Sequence, residues 1–252
     1  MAFTQSQIET FNQQGFLIER QLSSTQTCQT MLEVIVQNST PPLAPVEFEV
    51  DVQYPGSPVD RDAKGGDTPR RLLHAYTRDQ VFRSWATSDQ ITSRVKQLLK
   101  ADAIAMSQNH HNCIMTKHPG FSSSTSWHQD IRYWLFDQPN LVSVWLALGH
   151  EHEENGGMQL IPGTHAQHFD RGRYDAAFFL RKDLPENQLL IDSAIRAELH
   201  PGDVLFFHSG TFHAAGKNQT DQTKYSLVFT YRNQTNQPIA GTRSASFPDI
   251  FC

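Results

Sequence analysis

The chain has 252 residues, of which 38% are hydrophobic and 19% charged, a composition typical of one ordered globular domain rather than a disordered segment. Its formal net charge of −5, without a run of Lys and Arg, argues against a surface for nucleic acid. The polar N-terminus lacks the pattern of a signal peptide, and no stretch approaches the roughly 20 apolar residues of a membrane span, so we expect a cytoplasmic protein without a membrane partner.

The chain opens with a predicted helix. Thr4 and Gln7 have the spacing of a capping box, in which two side chains satisfy free N–H groups of the first turn. Phe11 contributes to an apolar side, and Gly15 is suited to the left-handed conformation that ends many helices. Together these signals predict a helix over residues 4–14.

Two further helices are predicted from apolar stripes. Ser23 and Gln26 repeat the capping spacing, and the apolar residues that follow recur at helical intervals, which predicts a helix over residues 24–38. The same periodicity predicts a helix over residues 88–100. We therefore expect residues 1–100 to form a helical and loop region packed on the remainder of the domain.

Two long segments have neither a helical nor a strand pattern. Residues 40–70 are rich in proline and glycine and are too long for a plain connector in a compact domain, which indicates a functional loop or lid. Residues 165–195 interrupt the later strands and are predicted to be a second mobile segment. Both are expected to become ordered over the site when substrate binds.

From about residue 103 the chain changes to short runs of β-branched and aromatic residues, each bounded by Gly, Pro or Asn. Such strands predict a mainly β protein with flanking helices, built as an antiparallel sandwich or barrel over residues 103–235 within a single domain, 1–252. The predicted strands are CIMTK, NLVSVWLALG, GMQLIPG, IRAELHPG, DVLFFHSG and KYSLVFTYR.

A metal site is predicted from the segment WHQD. His128 and Asp130 are two residues apart, and alternate side chains of a strand share one face, so both can reach the same ion. A further histidine would complete the arrangement of two histidines and one carboxylate that leaves three positions of iron(II) open. His208 and His213, which follow a predicted strand, are the two candidates.

The stretch TKHP…WHQDIRYW…NLVSVWLALGHEHEENGGMQLIPGTH, followed by PGDVLFFHSGTFHAAGKNQT, resembles the phytanoyl-CoA dioxygenase family of iron(II)- and 2-oxoglutarate-dependent oxygenases. The opening QIETFNQQGFLIERQLSS is similar to the family as well. The resemblance implies a double-stranded β-helix, the jelly roll of the cupins, with iron(II) in its open mouth. It also implies that a small organic substrate is hydroxylated with 2-oxoglutarate and O₂, with release of succinate and CO₂.

The resemblance also assigns the metal ligands. It places the distal ligand at His213, so that His128, Asp130 and His213 are the expected catalytic ligands and His208 is not. Asp130 argues against halogenation, because related halogenases have a small residue in place of the carboxylate. The sequence GHEHEENGG, which superficially looks like the ligand string of cupins, falls in a polar turn between two strands and is predicted to be solvated.

For 2-oxoglutarate, the resemblance implies contacts from Lys117 and Trp145. Lys224 occupies the position where the family usually has an arginine for the distal carboxylate, and Thr125 is a possible second donor. Arg232, eight residues after Lys224, is the competitor for that role, but it would lie about 26 Å away along a strand at roughly 3.3 Å per residue.

The residues directly after the ligand pair are the candidates for substrate contacts. Arg132, Tyr133 and Trp134 should line the mouth, and Arg70 or Arg71 could reach it from the long loop, which favours an anionic or partly aromatic substrate. Substrate identity and oligomeric state are not determined by these patterns.

Two other classes of protein use similar ligands. A jelly-roll hydrolase or isomerase could bind zinc through the same three residues and use a metal-bound water. It would not require a cradle for a keto acid, which is what Lys117 and Lys224 provide. A catalytically silent binding module is the third class, and the intact ligand set argues against it.

Overall fold

The computed structural model describes residues 2–39 and 41–252, and these form seven α-helices and twelve strands. The helices are α1 Gln5–Gln14, α2 Thr25–Gln37, α3 Glu49–Val52, α4 Ala75–Arg78, α5 Gln80–Ala86, α6 Asp89–Leu99 and α7 Pro185–Asp192. The strands are β1 Phe16–Glu19, β2 Val46–Phe48, β3 Pro69–Leu73, β4 Ile104–Lys117, β5 Thr125–His128, β6 Leu141–Ala147, β7 Met158–Leu160, β8 Ile195–Arg196, β9 Val204–His208, β10 His213–Ala215, β11 Lys224–Asn233 and β12 Ile250–Phe251.

The three helices predicted from sequence periodicity are confirmed as α1, α2 and α6. The capping box of α1 forms as predicted, since the Thr4 hydroxyl accepts from the Gln7 backbone N–H and the Gln7 side chain accepts from the Thr4 backbone N–H. The predicted cap of α2 is wrong by one residue. Ser24, not Ser23, is the N-cap, and its hydroxyl accepts from the backbone N–H of Thr27 at 3.1 Å.

The strands form two antiparallel sheets. The large sheet has the order β1-β9-β6-β11-β4-β3-β2, and β12 also pairs with β4. The small sheet has the order β5-β10-β7-β8. Most neighbours in these sheets are distant in sequence, which is why the sandwich can be predicted from the strand pattern but its strand order cannot.

The large sheet is buried on both faces. Alternate residues of β6 point to opposite sides, so that Val144 packs with the helices α1, α2, α5 and α6, whereas Trp145 points into the space between the two sheets. Met158 and Leu160 of β7 complete the inner layer from the small sheet. The interior of the sandwich therefore lies between the sheets, and the helices cover its outer side as predicted.

The sheets extend beyond the predicted core of residues 103–235. β1, β2, β3 and β12 all join the large sheet, so part of the N-terminal region belongs to the sandwich itself. The segment 40–70 contains β2 and α3, and the segment 165–195 contains α7, so neither is without secondary structure. Only Ile195 and Arg196 of the predicted strand IRAELHPG are in a strand. Among the described residues, no helix is both long and apolar enough to cross a membrane.

Candidate active site

The two ligand histidines lie on neighbouring strands of the small sheet. β5 and β10 pair in an antiparallel register that places His128 directly opposite His213. Residues in register on adjacent strands have their side chains close together on one face. The two imidazole rings are accordingly 4.2 Å apart between their centroids.

Asp130 joins this pair from just beyond the end of β5. The strand ends at His128, and Asp130 begins a short 3₁₀ helix, so the expected strand alternation is not what places the carboxylate. Its Oδ1 lies 3.8 Å from His128 Nε2 and 3.7 Å from His213 Nε2. The three side chains offer ligand atoms that all lie within 4.8 Å of one another, as the prediction required.

Backbone carbonyls orient both rings. His128 Nδ1 lies 2.9 Å from the carbonyl oxygen of Ser126, and His213 Nδ1 lies 3.0 Å from that of Thr211. A carbonyl can only accept, so Nδ1 carries the proton in each ring and Nε2 presents its lone pair towards Asp130. Burial, the adjacent His213 and nearby Arg132 hold the pKa of His128 well below its usual range, which keeps this ring neutral.

This donor set fits a divalent metal ion. His213 and Asp130 are buried, and the second carboxylate oxygen of Asp130 has no hydrogen-bond partner. A buried carboxylate beside two imidazole lone pairs requires a cation, and two nitrogens with one oxygen are the ligands of the iron(II) facial arrangement. His128, Asp130 and His213 could therefore hold a metal while leaving one side of it open.

His111 is a neighbour of this site that the sequence analysis missed. Its Nδ1 lies 3.6 Å from Asp130 Oδ2 and 3.3 Å from the hydroxyl of Ser143. Burial lowers the pKa of His111 to about 4, so the ring is neutral and can act as a donor towards the free carboxylate oxygen. No spacing signal could have found it, because it comes from β4, where the pairing with β11 shifts register between Phe229 and Thr230.

The four residues predicted to bind 2-oxoglutarate line one small cavity. Lys117, Thr125, Trp145 and Lys224 border a cavity of about 40 Å³ between the sheets. Arg70 borders it as well and lies 3.4 Å from the Thr125 hydroxyl. Thr125 and Arg70 also border the cavity of about 220 Å³ that contains His128 and Asp130, so the predicted cradle adjoins the metal ligands.

Lys224 has a buried carboxylate partner that was not predicted. Its Nζ lies 3.1 Å from Glu151 Oε2 and 3.0 Å from the Ser226 hydroxyl, which itself donates to Glu151 Oε1 at 2.7 Å. The indole N–H of Trp145 contacts both oxygens of the same carboxylate at 3.1 and 3.2 Å. The prediction that the turn around Glu151 is solvated is wrong for Glu151, which is fully buried. Its neighbour His150 is exposed, as predicted.

Lys117, the second lysine that borders this cavity, has different partners from Lys224. Its ammonium donates to the backbone carbonyls of Ser123 at 2.8 Å and Gly216 at 2.6 Å, and among the described residues no carboxylate forms a salt bridge with it. Burial, with help from the positive charges of Lys224 and Arg70, lowers the pKa of Lys117 to about 7. A half-buried cation whose polar partners are carbonyl groups is a suitable partner for an anionic ligand.

The predicted substrate residues surround the larger cavity. Arg132 donates to the carbonyl of Phe178 at 3.0 Å, and its guanidinium stacks over Phe179 at 3.9 Å from the ring centroid. Tyr133 is half exposed, whereas Trp134 is buried and stacks on the ring of His110. Both arginines expected from the long loop, together with a third that was not predicted, complete the lining: Arg70, Arg71 and Arg243.

Two residues that the sequence analysis considered and set aside are engaged elsewhere. His208 accepts from the backbone N–H of Gly210 at 3.0 Å and lies beside the ring of His165. Burial lowers the pKa of His208 to about 4. Arg232 is buried and bound to Asp249 at 2.6 Å.

The sequence matches the model of a family described as "Phytanoyl-CoA dioxygenase (PhyH)" over residues 11–226. The peroxisomal phytanoyl-CoA dioxygenase of Homo sapiens is 26% identical over 156 residues, which cover 58% of this chain and 44% of that protein. Ectoine dioxygenase of Halomonas elongata is 22% identical over 251 residues, which cover 93% of this chain and 71% of that protein. Several of the curated relatives are matched over only about half of their length, 56% for the Caenorhabditis elegans protein.

Solved structures share the fold at low sequence identity. EctD from S. alaskensis, crystallised with 2-oxoglutarate and 5-hydroxyectoine, has a TM-score of 0.76 at 14% identity and covers 94% of this chain and 78% of its own. The non-heme α-ketoglutarate-dependent carbocyclase SnoK has a TM-score of 0.74 at 15% identity, with 99% and 96% covered. These likenesses confirm the predicted jelly-roll fold.

Proposed function

Because the chain belongs to the phytanoyl-CoA dioxygenase family, we propose that it is an iron(II)- and 2-oxoglutarate-dependent oxygenase that hydroxylates a small organic substrate, with release of succinate and CO₂. One observation carries the proposal. Two imidazole lone pairs and a buried carboxylate converge beside a cavity that is bordered by the half-buried Lys117 and the buried Lys224. A metal hydrolase would need the first feature but not the second.

His128, Asp130 and His213 would hold the iron, and their fixed geometry would leave the opposite side free for small ligands. Iron(II), when bound together with 2-oxoglutarate and O₂, supplies the oxidising chemistry. The protein contributes orientation and exclusion of water. The carbonyls of Ser126 and Thr211 would keep Nε2 of His128 and Nε2 of His213 directed towards the iron. The buried residues around the site would limit the access of water.

Lys117, Thr125, Trp145 and Lys224 would bind 2-oxoglutarate. In this proposal Lys224 replaces the arginine usual in the family and contributes charge without the planar fork of a guanidinium. The Glu151 carboxylate already neutralises much of that charge, and Glu47 does the same for Arg70 at 2.7 Å, so the remaining positive charge would come mainly from Lys117. The distal carboxylate would then be shared among several donors rather than gripped by one.

The substrate class that fits the larger cavity is a small anion. Four arginines border it, namely Arg70, Arg71, Arg132 and Arg243, against the two carboxylates of Glu47 and Asp130. Since a bound metal would add further positive charge, an anionic group would be attracted to this mouth. Arg132, Tyr133 and Trp134 would then provide the contacts to its charged and aromatic parts.

An anaerobic titration of the purified protein tests this function. Iron(II) followed by 2-oxoglutarate should produce a weak visible charge-transfer band in the wild-type protein and none in Asp130→Ala. A protein that binds iron(II) and 2-oxoglutarate without developing the band would contradict the proposal. A protein that binds zinc and shows no affinity for 2-oxoglutarate would favour the metal hydrolase.

The proposal includes a cytoplasmic location. Cys28, Cys113 and Cys252 are free thiols, and a reducing compartment keeps cysteines in this state. Fractionation of cells that express the tagged protein would test it, and recovery in an extracellular or membrane-enclosed fraction would contradict it.

A further inference from the structure

The turn that contains His150 and His152 pairs with a second segment that is also rich in ligand-type side chains. Glu151 and Leu199 form an isolated antiparallel bridge, with Glu151 N–H donating to Leu199 O at 2.8 Å and Leu199 N–H donating to Glu151 O at 3.0 Å. Both of these side chains point inward and are fully buried. Alternation along an extended chain then directs the residues on either side of each of them outward.

The four outward residues are all potential metal ligands. In an antiparallel bridge centred on Glu151 and Leu199, residue 150 faces residue 200 and residue 152 faces residue 198. The side chains at these places are His150, His200, His152 and Glu198. The bridge therefore collects three imidazoles and one carboxylate on a single face.

The distances between these groups are short. His150 Nε2 lies 3.3 Å from Glu198 Oε1, and the His150 ring stacks on His200 at 4.7 Å with an interplanar angle of 4°. The rings of His150 and His152 are 4.8 Å apart. Ligands about 2.0–2.1 Å from a tetrahedral zinc ion are separated from one another by roughly 3.3–3.4 Å. His150 and Glu198 already have this separation. His152 and His200 would reach it by rotation of their side chains.

We propose that His150, Glu198 and His200 form a second metal site, distinct from the site of His128, Asp130 and His213, for a divalent ion of the zinc class. His152 is placed to serve as a fourth ligand. The imidazole-rich set suits Zn²⁺, Ni²⁺ or Cu²⁺ and does not suit Mg²⁺ or Ca²⁺, which require oxygen ligands. The site opens to an outer groove of about 430 Å³, so an ion can enter directly from solvent.

The alternative for this cluster is a solvated ion pair. An ion pair between His150 and Glu198 would engage only one of the two stacked imidazoles. A pair this exposed also contributes little by itself, since the side chains of His150 and Glu198 are 47% and 66% exposed. A metal ion would satisfy both imidazoles and the carboxylate together.

The test is calorimetry with zinc chloride on variants of the full chain. Asp130→Ala removes the first site, and we expect this variant to bind one zinc ion through the proposed site. Adding His150→Ala and His200→Ala should weaken that binding by more than about tenfold or abolish it. His168→Ala, which removes another exposed histidine outside the cluster, is the matched control and should leave zinc binding unchanged.

Circular dichroism of each variant checks that the fold is retained, and histidine proton resonances locate the bound ion. Zinc should shift the resonances assigned to His150 and His200 in Asp130→Ala. The proposal is overturned if Asp130→Ala binds no zinc, or if it binds zinc equally well after His150 and His200 are replaced.

Discussion

His128 and His213 each commit one ring nitrogen to a backbone carbonyl, and this small feature determines what the site can bind. A ring free to rotate would have to be ordered by the metal, which would cost part of the binding free energy. In this protein the hydrogen bonds to Ser126 and Thr211 fix the orientation of both rings without a bound metal. The carboxylate of Asp130 is equally constrained, because it is buried and begins a turn of 3₁₀ helix.

A set of three ligands has no spare member. We expect His128→Ala, Asp130→Ala and His213→Ala each to lose tight iron(II) binding and turnover, whereas His208→Ala should retain both. Metal content after dialysis, measured together with 2-oxoglutarate consumption, checks this. Loss of iron in His208→Ala with retention in His213→Ala would show that the distal ligand is wrongly assigned.

Lys224 is coupled to Glu151, so its removal has two effects. We expect Lys224→Ala to weaken 2-oxoglutarate binding by more than about tenfold, because a desolvated carboxylate loses a charged partner. It should also lower the free energy of unfolding by about 3–5 kcal/mol, because Glu151 is left buried without its cation. Lys224→Arg should retain affinity.

The paired variant Lys224→Met with Glu151→Gln separates these two effects, because it removes both charges. Its stability should lie nearer the wild type while its affinity for 2-oxoglutarate remains low. Arg232→Ala, at the far end of β11, should not alter affinity. Calorimetry with 2-oxoglutarate provides the readout, and unchanged affinity in Lys224→Ala would contradict the assignment.

Lys117 should make co-substrate binding depend on pH. Its pKa is lowered to about 7, chiefly by burial, and a carboxylate binds the ammonium in preference to the neutral amine. Affinity for 2-oxoglutarate should therefore be full below this pKa and decline as the pH rises above it. Titrations from about pH 6 to about pH 9 check the direction. Lys117→Arg, which stays protonated, should lose this decline, and a decline that persists in that variant would assign it to another group.

At the scale of elements, the two long segments meet above the metal ligands. Tyr54 from the first segment and Phe179 from the second are in edge contact, with ring centroids 5.6 Å apart. Phe179 also lies against the ring of His128. Arg132 and Tyr133 tie the second segment down by donating to carbonyls at residues 177 and 178. Phe169 and Leu180 anchor the rest of the second segment, because both are buried against Trp127 and Phe212. Opening of the mouth therefore requires only the contacts of Tyr54, Phe179 and Arg132 to break, while the anchored part of the segment stays in place.

We expect both segments to open and close over the mouth. Limited proteolysis should cleave within residues 40–70 and 165–195 in the free protein, and less readily once iron(II), 2-oxoglutarate and substrate are bound without O₂. Mass spectrometry of the fragments identifies the cleavage sites. Cleavage that is the same in both states, or that spares both segments, would speak against a lid.

At the scale of the whole molecule, the large sheet is packed on both faces. Helical residues such as Phe82 and Ile91 pack on one face of the large sheet, and the inner layer around Trp145 packs on the other. β1 of the N-terminal region pairs directly with β9. The helical region and the sandwich therefore depend on each other for burial.

We expect the chain to unfold in a single cooperative transition. Trp85 reports on the helical layer and Trp145 on the space between the sheets, so fluorescence and circular dichroism should give coincident curves. Iron(II) under anaerobic conditions, at about 100 times its Kd, should stabilise the folded chain by roughly 2.7 kcal/mol. Asp130→Ala should show no such gain, and two separate transitions would mean that residues 1–100 fold independently.

The sequence alone determined the features that depend on near neighbours. The capping box of α1 and the periodicity of α2 and α6 are local, because each turn of a helix closes within four residues. The pair His128 and Asp130 and the choice of His213 were also available from spacing and from the resemblance of the motifs. The strand pattern was sufficient to predict an antiparallel sandwich or barrel, and the resemblance of the motifs supplied the jelly roll.

Only the tertiary structure decided what depends on contacts between distant segments. Glu151 was read as solvated because its neighbours are polar, yet the bridge to Leu199 turns it inward onto Lys224. His111 reaches Asp130 through a shift in strand register that no local pattern encodes. The same bridge brings Glu198 to His150. Burial and register are properties of paired strands, and a carboxylate or an imidazole acquires its partner only when those strands meet.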